Sequence, residues 1–136
     1  DTLRLEAGFP LYGNELTDEI SPLQAGLQWC VALNKEDFIG KHSLLREKQA
    51  GLAGKVRFYR AEGRRIPRSG MKVIQGGVEI GRVLSGGYSP SIQLPIGTVW
   101  TSNDYNSQLS CEVEVRGQLV ELRYGKPVLR ELRKQK

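Results

Sequence analysis

At 136 residues, 39% of them hydrophobic and 26% charged, with a net charge of +5, the chain is bounded to one modest domain or one domain with a short extension, and intrinsic disorder is excluded. No apolar run approaches the roughly 20 residues that a membrane-crossing helix needs, and no basic–apolar leader is visible. Sixteen glycines and six prolines predict many turns, hence β-structure.

Residues 1–8, Asp-Thr-Leu-Arg-Leu-Glu-Ala-Gly, read as a short helix, capped by Asp1 or Thr2 and ended by Gly8 with Pro10 close behind. Residues 10–22 are turn-rich. Gly26 to Leu33 places Leu27, Trp29, Val31 and Leu33 on alternate positions, which predicts a half-buried strand. A loop and a short amphipathic helix follow, the helix starting at about Lys41 and ending near Gly51. From Gly54 onward six short strands are expected, at 55–60, 71–75, 78–84, 97–101, 108–115 and 118–124. Cys111, Val113 and Val115 alternate with charged residues, while Gly76-Gly77 and Arg116-Gly117 are tight-turn signals. The pattern predicts a small closed or sandwiched β-domain, with a boundary between structural units near Gly51–Gly54. A chain that opens on Asp1, with Met71 as its only methionine, reads as a piece cut from a longer protein.

Charge is unevenly placed. Residues 1–24 hold Asp1, Glu6, Glu15, Asp18 and Glu19 against Arg4 alone, whereas 55–72 hold seven bases against Glu62. Residues 123–136 hold six more bases against Glu131. Such clusters attract anionic partners over about 8 Å at physiological salt, or simply form a solvated cationic face.

Little in the sequence assembles catalysis on its own. His42 is the only histidine and sits among helical residues, which argues for a surface position. Cys30 and Cys111 lie in apolar surroundings without the spacing of a zinc or redox pair, and are expected to be two buried thiols. One histidine and two scattered cysteines make no metal site. Neither a nucleophile elbow nor a phosphate loop is present. Phe58 and Tyr59 between Arg57 and Arg60 faintly match the basic–aromatic interleaving of single-strand nucleic-acid binders, but no recognised motif accompanies them. From residues alone the chain is a basic, β-rich domain.

Four stretches, in order, resemble the C-terminal third of glycine-cleavage T-proteins: Asp1 to Gly8 with Leu11-Tyr12-Gly13; Ile20-Ser21-Pro22-Leu23 with Trp29; Asp37-Phe38-Ile39-Gly40-Lys41; and Gly81-Arg82-Val83 with Ser85-Gly86 and Tyr88-Ser89-Pro90-Ser91. The resemblance implies a mainly β (α+β) fold with short helices. Residues 1–51 would be a helix–strand–helix piece of a folate-binding region, and 52–136 a six-stranded antiparallel β-barrel. It also implies a chemistry: transfer of the one-carbon unit from the aminomethyl-lipoyl arm of the H-protein to tetrahydrofolate, without a metal. On the same resemblance Glu6 holds the pterin, its carboxylate accepting an amino group and a ring N–H in a forked pair. Lys35 and Arg133 become further folate contacts, and Arg4 braces its surroundings. The family's catalytic aspartate has no counterpart here, so the chain carries no catalytic residue and is expected to be inactive alone. The implied partners are the H-protein, tetrahydrofolate and an N-terminal portion of the same protein, in bacterial cytoplasm or the mitochondrial matrix. The alternatives are a folate-binding module of a dimethylglycine or sarcosine oxidase-type relative or of another T-protein superfamily member, or a basic barrel that only binds protein or nucleic acid.

Overall fold

Six antiparallel strands close into a barrel in the computed structural model, which describes residues 1–133. They are β1 (Gly54–Ala61), β2 (Lys72–Gln75), β3 (Val78–Ser89), β4 (Leu94–Ser102), β5 (Cys111–Val115) and β6 (Gln118–Gly125). Around the barrel they run β1-β4-β3-β2-β5-β6, and β6 returns to β1, so that Tyr59 faces both Gly97 and Tyr124. Three helices lie outside the barrel: α1 (Thr2–Ala7), α2 (Lys41–Ala50) and α3 (Val128–Leu132). The expected fold class is therefore found, and each expected strand has a counterpart. β3 runs past Leu84 to Ser89, and β5 starts at Cys111 rather than Gln108.

Period-two alternation makes the interior. Val73, Val83, Val99, Cys111, Val113, Val115, Val120 and Leu122 point inward with Tyr59 and Ala61. Each fully buried valine contributes about 1.5–3 kcal/mol relative to exposure. Hairpin β2–β3 turns at Gly76 and Gly77, with φ of 57° and 81°. Hairpin β5–β6 turns at Arg116 and Gly117, with φ of 53° and 76°. Both pairs have the sign that two-residue hairpins of matching twist require.

Three expectations fail in the N-terminal part. Residues 26–33 form no strand. Gln28–Cys30 is a single 3-10 turn, closed by Cys30 N donating to Leu27 O at 3.0 Å, and Trp29 is 77% exposed. A closed barrel has no free edge, so this alternating segment finds no ladder and satisfies its backbone locally. Cys30 is consequently exposed, its Sγ 3.0 Å from Leu27 O; only Cys111 is a buried thiol. Asp1 stands at the N-cap of α1, but its carboxylate pairs with Arg4 Nε instead of capping the helix. α2 forms where expected, with His42 exposed, yet buries none of its residues.

α1 is fastened to the barrel by polar contacts. Arg4 donates to Glu15 Oε2 at 3.1 Å, to Ser85 Oγ at 3.0 Å and to Phe9 O at 3.2 Å. Glu15, 1% exposed, also accepts from Leu11 N at 2.8 Å and from the Thr98 hydroxyl on β4. Gly8 ends the helix at φ 81°, with its N–H 2.8 Å from Arg4 O. A Cβ at Gly8 would stand 2.3 Å from Pro127 Cγ, so glycine also permits α1 to meet the start of α3.

Candidate functional site

Glu6 follows Leu5 on α1. Leu5 packs with Ile96 and Val128, and this apolar contact presses the helix against β4 and α3. The same docking carries the Glu6 carboxylate to the β3–β4 turn, where it is only 4% exposed. Its Oε1 accepts from the Ser89 hydroxyl and, at 3.2 Å, from Ser91 N. No hydrogen bond from a described residue ends on Oε2. The Ser89 hydroxyl holds the Glu6 carboxyl below the ordinary glutamate range; burial opposes this, and Ser91 adds to it. The site therefore presents an ionised carboxylate anchored through one oxygen. With Oε1 accepting twice, Oε2 is the carboxylate oxygen whose lone pairs no described residue engages.

Lys35 and Arg133 are placed differently. Arg133 caps the end of α3, the helix that packs against α1, and its side chain is exposed. Lys35 is exposed in the loop before α2, and its carbonyl accepts from Lys41 Nζ. Among the described residues no hydrogen bond or ion pair joins Lys35 to Glu6 or Arg133. The structure thus brings α1 and α3 together, while Lys35 stands on a separate loop. Lys134 and Lys136, two of the C-terminal bases, lie outside the described residues.

A concavity of about 800 Å³ lies between the 23–34 loop, the end of α2 and β1. Leu23, Val31, Leu33 and Leu52 supply its apolar wall, and Lys48 and Lys55 its charge. It reaches Asn34, beside Lys35, but not Glu6. The anchored carboxylate is the better guide to chemistry, because the charged groups lining this space, Lys48 and Lys55, make no hydrogen bond or ion pair with another described side chain. A second cleft, about 390 Å³, is lined by Phe9, Trp29, Phe58 and Arg130, with Glu15 at its floor.

Arg64, Arg65, Arg68 and Arg116 surround a concavity of about 230 Å³ between the β1–β2 connection and the β5–β6 turn. Arg65 Nε donates to Gln118 Oε1 at 2.8 Å, and Arg68 Nη1 to Gly86 O at 3.5 Å. Among the described residues none of the four contacts a carboxylate, so their positive field is uncompensated locally. Tyr59, by contrast, is buried inside the barrel with its hydroxyl 3.4 Å from Ser85 O, and no base can stack on it. No group of three His, Cys, Asp or Glu among the described residues is arranged to hold a metal ion, and no described helix is long and apolar enough to cross a membrane.

Sequence reasoning missed Ser89 and Ser91 as partners of Glu6, although the Tyr88-Ser89-Pro90-Ser91 stretch stood out. It also missed Glu15 and Thr98. The signal was a polar residue at an inward strand position, as at Thr98, which is buried among apolar neighbours.

Residues 56–129 match the family described as glycine cleavage T-protein C-terminal barrel domain. The chain is 40% identical over 120 residues to an aminomethyltransferase of Pseudothermotoga lettingae, covering 88% of this chain and 33% of that protein. It is 44% identical over 127 residues to a probable aminomethyltransferase of Thermococcus gammatolerans, covering 86% of this chain and 32% of that one. The crystal structure of the glycine cleavage system aminomethyltransferase T from Bartonella henselae superposes with a TM-score of 0.86 at 29% identity, over 94% of this chain and 37% of its own. The chain spans about a third of the length of these relatives.

Proposed function

This chain belongs to the glycine cleavage T-protein family through its C-terminal barrel domain, and we propose that it works as the C-terminal third of an aminomethyltransferase. The observation that carries the reading is that relatives named for this activity match 85–88% of the chain. In the proposed division, residues 1–51 belong to the folate-binding region and 52–136 to the barrel.

The proposed reaction takes the aminomethyl group from the lipoyl sulfur of the H-protein. The C–S and C–N bonds break, and the carbon gains bonds to N5 and N10 of tetrahydrofolate. One proton from these nitrogens goes to the sulfur and one to the departing amine. The products are 5,10-methylenetetrahydrofolate, ammonia and dihydrolipoyl H-protein, with no net oxidation. Glu6 serves as the pterin acceptor: an ionised carboxylate in a nearly dry setting accepts the pterin amino and ring N–H groups strongly. Arg133, on the helix beside α1, and Lys35 supply positive charge for the folate tail. Lys35 lacks the planar fork of arginine and acts there as a point charge. The resemblance implies that the aspartate acting on the folate nitrogens belongs to the portion of the relatives that this chain does not span.

The four-arginine concavity suits an acidic carrier surface, and we assign it to steering the H-protein. The test of the whole reading is aminomethyl transfer from loaded H-protein to tetrahydrofolate, followed by ammonia release. The full-length protein is expected to turn over and the 136-residue chain to show no transfer. Full-rate transfer by the 136 residues, or none by the full-length protein, would overturn it.

A further inference from the structure

The Glu6 carboxylate is gripped by the turn that joins β3 to β4, and the grip has a definite polarity. Ser89 ends β3 opposite Leu94 and is 0% exposed. Its Oγ lies 3.4 Å from Ile92 N, which donates to it. A hydroxyl has one proton, and with Ile92 N–H occupying a lone pair the Ser89 proton is left to point at Glu6 Oε1. The turn that sets this geometry contains Gln93 at φ 56°, a conformation that side chains adopt only under constraint. Ser91 N adds a second donor to the same oxygen.

We infer that Ser89 is a positioning residue for the folate site: by donating to Oε1 it fixes the rotamer of Glu6 and turns Oε2 toward the ligand. The inference rests on the reading of Glu6 as the pterin acceptor. An unanchored glutamate has three rotatable bonds to freeze when ligand binds; one held by a buried serine has that cost met during folding. Ser89 also favours the ionised form, in which Oε2 carries no proton and can only accept. Other ionisable groups on the elements packed against α1 are engaged elsewhere or exposed. Arg4 is taken by Asp1 and Glu15, Glu131 of α3 by Arg60, and Glu79 and Arg82 of β3 by Lys72 and Glu19. Tyr88, Arg130 and Arg133 remain, and β4 carries no ionisable side chain.

The test is calorimetric titration of the full-length protein with 5-formyltetrahydrofolate across the acid range, using Ser89→Ala, Ser89→Cys, Glu6→Gln and the Glu6→Gln/Ser89→Ala double variant. Ser89→Cys keeps the volume nearly constant with a weaker donor, and reads the same contact if the alanine variant does not fold. Ser89→Ala is expected to weaken binding about fivefold to tenfold at neutral pH. It should also move the acid limb of the binding profile to higher pH, because the carboxyl loses the bond that holds it ionised. Ser89→Cys should fall between, and the double variant should bind as Glu6→Gln alone does. A Glu6→Gln variant that binds like the parent would overturn the reading of Glu6 itself. A weak Glu6→Gln variant beside serine variants with unmoved pH profiles and additive losses would leave that reading standing and overturn the positioning role.

Discussion

Truncating Glu15 to alanine should separate the N-terminal segment from the barrel more than any other single polar change in the chain. Its carboxylate is 1% exposed and meets three donors from three places: Arg4 on α1, Leu11 N in the following turn and the Thr98 hydroxyl on β4. Removing one member of a buried ion pair costs about 3–5 kcal/mol, because the other charge stays behind without its partner. Leu11 N and Thr98 Oγ1 are stranded as well, which argues for the upper part of that range. Against it, Arg4 is 15% exposed and keeps Asp1 and Phe9 O as partners. A loss of about 4 kcal/mol balances these effects, and in a chain of this size it corresponds to a fall in Tm of about 15 °C. Glu15→Gln retains acceptor geometry toward Arg4 and Leu11 and should lose about half as much. The control is Glu19→Ala, which breaks an exposed pair with Arg82 and should cost less than about 1 kcal/mol. Urea and thermal unfolding at neutral pH read all three. A Glu15→Ala variant no less stable than Glu19→Ala would refute the view that this carboxylate fastens α1 to the barrel.

Gly97→Ala should be strongly destabilising, since the added Cβ would stand 2.0 Å from Ser85 O and 2.6 Å from Tyr59 Oη; Gly76→Ala, in open space at φ 57°, should cost only about 1–2 kcal/mol in urea unfolding. An aromatic disulfide reagent should label Cys30 quickly and Cys111 only on unfolding, because burial both shields the Cys111 thiol and pushes its pKa up; rapid labelling of both would contradict this. The depressed Glu6 carboxyl means that the unfolded state binds more protons in the acid range. Its stabilisation is therefore present at neutral pH and lost as pH falls below about 4.3, the unfolded value, through the lower folded value. Glu6→Gln should flatten that part of the urea-midpoint profile, and an unchanged slope would count against the Ser89 contact. Neutralising Arg64, Arg65 and Arg68 together should remove most of the salt dependence of H-protein binding measured by titration, while an unchanged salt slope would reject the steering role.

Much of the barrel was legible in the sequence because its signals are local. Alternation at Cys111, Val113 and Val115 and the paired glycines at 76 and 77 each need only a few neighbouring residues to be read. The 26–33 segment carried the same alternation and misled, since whether such a stretch becomes a strand depends on an available edge, which a closed barrel does not offer. α3 went unseen because Val128–Leu132 is too short to display a helical period. The site was legible only in part. Resemblance pointed to Glu6, but its partner Ser89 is 83 residues away, a pairing that no spacing rule contains. The dual exposure of Cys30 and Trp29 was hidden for the same reason: both sit in a loop whose packing is decided by distant chain.

Titration of the full-length protein with 5-formyltetrahydrofolate, before and after Glu6→Gln, bears most directly on the proposed site. Loss of a charge-assisted hydrogen bond of about 1.5–3 kcal/mol predicts binding weaker by about tenfold to a hundredfold. Undiminished affinity with glutamine at position 6 would contradict the assignment.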